Sequence, residues 1–256
     1  MTVPELPEVE SVARALRDGL QGRGLTGLEV RFAGVLGQSV RRTRRALVGK
    51  TLAGVHRHGK YLILAFGSPG PGGAPEPGAR AGEIDDRAAA DLSGAAYLMI
   101  HLRMTGQILA QPDYRPDKHV HLTFDFQGLP VHYRDIRKFG RLVLVDDPRR
   151  PAAIAHVGPD MLRVRFAAWH ASLARRRAPI KALLLDQGIA AGLGNIYVDE
   201  SLHAAGIHPL ARPDDLTDAQ LRELLRHAKR VLRLAIEHVG TTFINFANFH
   251  GRPGNF

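Results

Sequence analysis

The apolar residues of this chain change their spacing near residue 150, and that change limits the fold more than any other feature. Before it they fall in short runs rich in β-branched and aromatic side chains: LTGLEVRF, KTLAGVHRHG, KYLILAF, AYLMIHLRM, HVHLTFDF, PVHYRD and GRLVLVD. Gly, Pro or polar turns separate them, as a sandwich or barrel requires. From Phe166 onward FAAWHASLARRR, PIKALLLDQ, NIYVDESLHAAG and LTDAQLRELLRHAKRVLRLAIEHVG follow helical spacing instead. In the last of these Leu221, Leu224, Leu225, Ala228, Val231, Leu232 and Ile236 share one face, Thr217 or Asp218 suits the N-cap, and Gly240 suits the stop. A helix also opens the chain. From Glu5 to about Leu20, Val9, Val12, Ala13, Leu16 and Leu20 recur at helical spacing, and Pro7 fits a first turn, where its missing N–H costs nothing. The expectation is an α+β protein of two domains. Residues 1–150 make a β-sandwich with an opening α-helix, and residues 151–256 make an all-helical domain. Residues 67–94, rich in Gly, Pro, Ala and charge with little to bury, read as a flexible insertion between two strands.

Charge narrows the partners. The chain has 35 Lys and Arg against 25 Asp and Glu, a formal charge of +10, which favours nucleic acid, an acidic membrane or an acidic protein. No apolar stretch of about 18 residues is present, and the N-terminus is acidic where a secretory signal is basic, so a soluble intracellular protein is expected. Cysteine is absent, which removes disulfides, thiol nucleophiles and thiolate metal sites. HVH at 119–121 has strand spacing without companion ligands, so no metal site is expected there.

Four stretches carry candidate chemistry. The opening PELPEVES sets Pro4 beside Glu5 and Glu8. A terminal α-amine has a reference pKa of about 8 against about 10.4 for Lys, so it is far more often neutral and nucleophilic. A terminal proline is a secondary amine able to form an iminium, with carboxylates beside it to move protons. The same acids also suit a helix N-terminus as plain complements to its dipole. In IKALLLDQGIAAGLGNIYVDESLHAAGIHP two helical segments flank the Gly-rich turn GLGN, with Asn195 capping the second and Lys181 opening the first. Such a turn suits phosphate, although tight helical turns also use Gly for steric reasons alone. HLRMTG at 101–106 and YRDIRKFGRL at 133–142 place Met104, Arg137 and Phe139 in loops at strand ends. There an apolar side chain and a planar cation can enter a duplex and fill the space of an extruded base. Taken singly, they equally suit a buried Met, a solvated Arg and a core Phe. Lys60 in HRHGKYLIL suits a phosphate contact or an ordinary surface lysine.

Together these stretches resemble the formamidopyrimidine-DNA glycosylase family, in the family's order and over nearly the whole chain. They run PELPEVE, HGKYL, HLRMTG, DIRKFG, KALLLDQ with GLGNIYVDE, and GTTFINFANFHGRPGNF. PELPEVE with Met104, Arg137 and Phe139 resembles the purine-directed branch rather than the endonuclease VIII branch. The resemblance implies a helix–two-turn–helix element in the second domain and assigns roles residue by residue. Pro4 matches the proline whose amine attacks C1′ of the damaged nucleotide. Glu5 matches the acid that assists sugar-ring opening, and Glu8 a further carboxylate of the opening helix. Lys60 matches a lysine that grips phosphate near the lesion; Lys181 and Asn195 match phosphate contacts, and His101 stands with the DNA-binding residues. Met104, Arg137 and Phe139 match the void-filling triad, with Arg137 facing the orphaned base. The implied protein is a monomeric bacterial-type enzyme of the cytoplasm and nucleoid. It excises 8-oxoguanine and formamidopyrimidines from double-stranded DNA and nicks the strand by β- and δ-elimination.

Two departures bear on that reading. A proline nitrogen inside a chain is an amide without a nucleophilic lone pair, and Pro4 is preceded by Met1, Thr2 and Val3. The resemblance therefore implies initiation at the codon read as Val3, followed by loss of that Met. Family members also carry a C-terminal zinc finger with four cysteines; none is present through Phe256, so no cofactor is expected within this sequence and one zinc ion only with a longer tail. Two other functions compete: a non-catalytic relative that binds damaged, bent or branched DNA, and a basic RNA-binding protein.

Overall fold

The computed structural model describes residues 4–68, 96–110, 114–145, 155–174 and 176–238. The residues ahead of Pro4, nearly all of the expected 67–94 insertion, the boundary near residue 150 and the GTTFINFANFHGRPGNF stretch lie outside them. The described chain is an α+β fold, with sheets in the N-terminal half and helices in the C-terminal half. Its elements are α1 (Leu6–Leu20), β1 (Gly27–Val30), α2 (Val40–Leu47), β2 (Thr51–His58), β3 (Tyr61–Gly67), β4 (Ala96–His101), β5 (Gly106–Leu109), β6 (Val120–Phe126), β7 (Leu129–Asp135) and β8 (Arg141–Val145). They are followed by α3 (Phe166–Leu173), α4 (Ile180–Leu185), α5 (Asn195–Ala205) and α6 (Asp218–Glu237).

Two antiparallel four-stranded sheets form the N-terminal half, in the orders β1-β6-β7-β5 and β2-β3-β4-β8. Leu62, Leu64, Leu98 and Ile100 from one sheet meet Ile108, Leu122, Phe124 and Val131 from the other in a single core. Phe66 and Phe126 stack across it with ring centroids 6.4 Å apart. Two elements lie outside the sequence expectation. Four residues, GQIL, form β5, every one buried, so the run is too short and too uniform to show alternation. VRRTRRAL forms α2 although only Thr43 and Leu47 are buried. Without an apolar stripe it has no periodic signal; Ser39 starts it by accepting from the Arg42 N–H at 3.3 Å, and arginine is a good helix former.

The helical half has its own core around Trp169, Leu184, Tyr197, Leu224 and Leu232, with α6 packed on α5 and on α1. Leu6 belongs to this second core, whereas Val9, Val12, Leu16 and Leu20 of the same helix belong to the first. Helix α1 therefore joins the halves. Charge secures the junction as well. Arg57 of β2 donates from Nε to Glu10 at 2.7 Å and from Nη1 to Asp160 at 2.5 Å, and Asp160 also accepts from the Gly59 N–H at 2.8 Å. These buried charges stand together because removing one leaves the others desolvated without a partner.

Candidate active site

The N-terminus of α1 is seated on the N-terminus of α5. Pro4, Glu5 and Glu8 are all buried there. Glu5 accepts from the backbone N–H of Gly194 at 2.6 Å and of Ile196 at 3.1 Å, and the Leu6 N–H donates to the Gly192 carbonyl at 3.1 Å. The first amides of a helix have no partner within it, so the start of α5 receives an anion, and here that anion is the Glu5 carboxylate. Gly194 carries no side chain because a Cβ would overlap that carboxyl group. Glu8 closes the first turn of α1 by accepting from the Glu5 N–H at 2.8 Å, and its other oxygen accepts from the Tyr197 hydroxyl at 2.6 Å. The Gly-rich turn read as a phosphate seat thus has its Gly194 amide directed at Glu5, together with the Ile196 amide just past it. Asn195 stands between them with its side chain exposed.

Lys60 reaches the same place from the β2–β3 turn. Gly59 gives that turn a left-handed backbone (φ 54°), and a Cβ there would overlap Ala191, so the turn lies against the segment leading into α5. Burial lifts the Glu5 carboxyl from 4.5 to about 7, while Lys60 and the two amides pull it back. Burial lowers the Lys60 ammonium, while Glu5 and Glu8 pull it up. His101 of β4 packs edge-on to Tyr61 at 4.6 Å between centroids. Burial first, then Arg103 and Lys60, push its imidazole down to about 3, so the ring is neutral. Its Nδ1 accepts from the Arg103 N–H at 3.0 Å, which assigns the ring proton to Nε2. At neutral pH the pocket therefore combines a carboxyl near its midpoint and an uncharged imidazole donor with the Lys60 amine, which burial pulls down and Glu5 and Glu8 pull up.

One prediction concerns the cation. Lys60→Met removes the charge that holds Glu5 down, so the Glu5 carboxyl will titrate above about 7. Carbon-13 NMR titration of that carboxyl checks it; an unmoved or lowered value contradicts this electrostatic account.

The proposed void-filling residues gather on two neighbouring loops. Arg137 Nη1 lies 3.0 Å from the Met104 sulfur, and its Cζ is 4.6 Å from the centre of the Phe139 ring. Phe139 remains 47% exposed, a large apolar surface unlike that of a core Phe. Lys181 behaves differently: its ammonium meets Asp199 of α5 at 2.6 Å, bracing α4 against α5. Tyr197, Asp135, Arg57 and Asp160 escaped the sequence reading. Tyr197 and Asp135 lie inside NIYVDE and DIRKFG, but spacing along a chain carries no record of partners far away in it. The donors for a four-cysteine zinc finger are not in this chain, and among the described residues no three His, Asp or Glu gather as a metal site.

Comparison with known proteins follows the same division. Residues 3–142 match the formamidopyrimidine-DNA glycosylase N-terminal domain, and residues 157–246 match that enzyme's H2TH domain. The formamidopyrimidine-DNA glycosylase of Chloroflexus aurantiacus is 38% identical over 98% of this chain and 83% of its own length. That of Carboxydothermus hydrogenoformans is 33% identical over 99% and 85%. Among solved structures, the MutM (Fpg) protein of Thermus thermophilus superposes with a TM-score of 0.78 at 31% identity, covering 99% of this chain and 84% of that one. Lactococcus lactis Fpg with abasic-site DNA gives 0.79 at 30% identity, covering 98% and 85%. Both halves of the molecule, and the motifs that meet where α1 is seated on α5, are thus matched in one order, and the chain belongs to the formamidopyrimidine-DNA glycosylase family.

Proposed function

We propose that this protein is a base-excision DNA glycosylase and abasic-site lyase acting on oxidised purines, 8-oxoguanine and formamidopyrimidines, in double-stranded DNA. The single observation that carries the reading is the Glu5 carboxyl, locked beside Pro4 and lifted to about 7. A group at that value gives and takes protons equally well at neutral pH. The Pro4 amine attacks C1′ and its lone pair forms the new C–N bond. The C1′–N bond to the base breaks, the departing base takes the proton shed by the Pro4 nitrogen, and Glu5 protonates the ring oxygen as the nitrogen lone pair opens the sugar to an iminium. Loss of a C2′ proton expels the 3′ phosphate, and a second elimination expels the 5′ phosphate. Lys60, the neutral His101 and Asn195 hold phosphates around the extruded nucleotide, and Lys181 joins them by exchanging its exposed Asp199 partner for phosphate. Met104, Arg137 and Phe139 fill the gap, with Arg137 toward the orphaned base. The protein acts as a monomer on nucleoid DNA in the cytoplasm, and no step passes through a metal.

Borohydride trapping tests the reading. A chain that begins at Pro4, mixed with an 8-oxoguanine duplex and reductant, will give a covalent protein–DNA adduct. A chain that keeps Thr2 and Val3 ahead of Pro4 will give none, because its proline nitrogen is an amide. No adduct with Pro4 first, alongside tight binding to damaged duplex, would instead identify a non-catalytic binder.

A further inference from the structure

We propose that Asp135 sets the position of the void-filling loops, acting through the backbone of Arg137 without touching DNA. The proposal rests on the void-filling reading of Met104, Arg137 and Phe139 given above. Asp135 ends β7 and is 0% exposed. One carboxylate oxygen accepts from the Thr105 hydroxyl and from the Arg137 N–H at 3.1 Å; the other accepts from the Gly140 N–H at 2.8 Å and the Tyr133 hydroxyl at 3.3 Å. The Arg137 N–H lies 3.1 Å from the Thr105 hydroxyl oxygen as well. One side chain thereby grips both loops, 102–105 between β4 and β5 and 136–140 between β7 and β8.

These four donors are neutral. A carboxylate in a dry core is costly to bury, and a sandwich selected only for stability does better with an apolar residue there. What the charge supplies is convergence: Thr105 of one loop and Tyr133, Arg137 and Gly140 of β7 and the loop after it meet on one small group. Both loops hold strained backbone, with Arg103 at φ 55° and Lys138 at φ 59°, a region that non-glycine residues keep only when their surroundings fix it. The second loop is also packed tightly, since a Cβ on Gly140 would overlap the Tyr133 hydroxyl. With its amide fixed, Arg137 directs its guanidinium between Met104 and Phe139. Asp135→Asn turns one acceptor into a donor that opposes an existing N–H or O–H, so the loops separate while the strands remain.

The test measures gap filling without catalysis. A duplex carries a tetrahydrofuran abasic analogue opposite 2-aminopurine, and affinity is compared with that for undamaged duplex. Asp135→Asn and Thr105→Val will each lower the ratio of lesion to undamaged affinity about tenfold, because small misplacements of positioning groups have effects of that order or larger. Both will also lose the 2-aminopurine fluorescence change, while affinity for undamaged duplex stays the same. Thr105→Ser, which keeps the hydroxyl, will behave as the parent. If Asp135→Asn does not fold, Thr105→Val and Thr105→Ser decide the matter. The proposal is overturned if Thr105→Ser is as impaired as Thr105→Val, or if Arg137→Ala lowers the ratio and the Asp135 and Thr105 variants do not. If Arg137→Ala itself leaves the ratio unchanged, the void-filling reading fails first.

Discussion

Glu5→Gln, in a chain that begins at Pro4, will slow single-turnover excision of 8-oxoguanine about a thousandfold, the middle of the range for a lost general acid–base group. Affinity for the same duplex will barely change. The carboxylate lies under α5, where its two oxygens face the Gly194 and Ile196 amides rather than a phosphate. Gln keeps one acceptor but sets an amide N–H against one of those donors, and it cannot protonate the sugar oxygen. Single-turnover kinetics with saturating enzyme separate the two effects; an equal loss in affinity and rate would show that Glu5 only shapes the site. The substitution has a second signature. The native Glu5 carboxyl sits at about 7 against an ordinary 4.5, so between those values the folded chain holds a proton that the unfolded chain has released. Stability from this group is complete below about 4.5 and declines as pH rises through about 7, by about 3 kcal/mol at most. The Gln variant will lack that slope in denaturant titrations across this window.

Gly194→Ala will lower excision about a hundredfold and leave the protein folded. Gly194 has an extended backbone (φ −126°, ψ −163°), so alanine meets no conformational obstacle. Its methyl group meets the Glu5 carboxyl instead. Backbone cannot move easily at the start of a packed helix, so the Glu5 side chain is the part displaced, and a misplaced proton donor costs about that factor. Overpacking a buried site typically costs about 1–3 kcal/mol, which the domain survives. The decisive comparison is the double variant: with Glu5→Gln already in place, Gly194→Ala will add little, because both act on one group. Additive losses in rate would refute this account of the glycine.

The motifs were legible because they are local. PELPEVES, HLRMTG and GLGN each fall within a few residues, and the structure sets Lys60 in the field of Glu5 and Glu8, with His101 in the field of Lys60. Their mutual geometry was not legible. Glu5 and Gly194 are 189 positions apart, and nothing in the period of either segment says that the acid of one occupies the amides of the other. The Gly-rich turn read as a seat for phosphate, and its period gave no sign that the Gly194 amide, with that of Ile196 just past the turn, holds a carboxylate of the same chain. The layered architecture followed from the change of period, while α2 and β5 did not, since one is an arginine-rich helix with two buried residues and the other a four-residue strand buried throughout. Asp135 shows the same limit: one letter in DIRKFG, its importance comes from donors at Thr105, Tyr133 and Gly140.

Helix α1 has Leu6 rooted in the core of the helices and Val9, Val12, Leu16 and Leu20 in the core of the strands. The start of α1 consequently sits in a socket to which both halves contribute, with the Glu5 carboxyl on the Gly194 and Ile196 amides and Lys60 facing it from the β2–β3 turn. Cut the protein between its halves, or express them apart, and each fragment will retain a hydrophobic interior of its own. Neither will hold a proton donor tuned for neutral water, so competence returns only on reassembly.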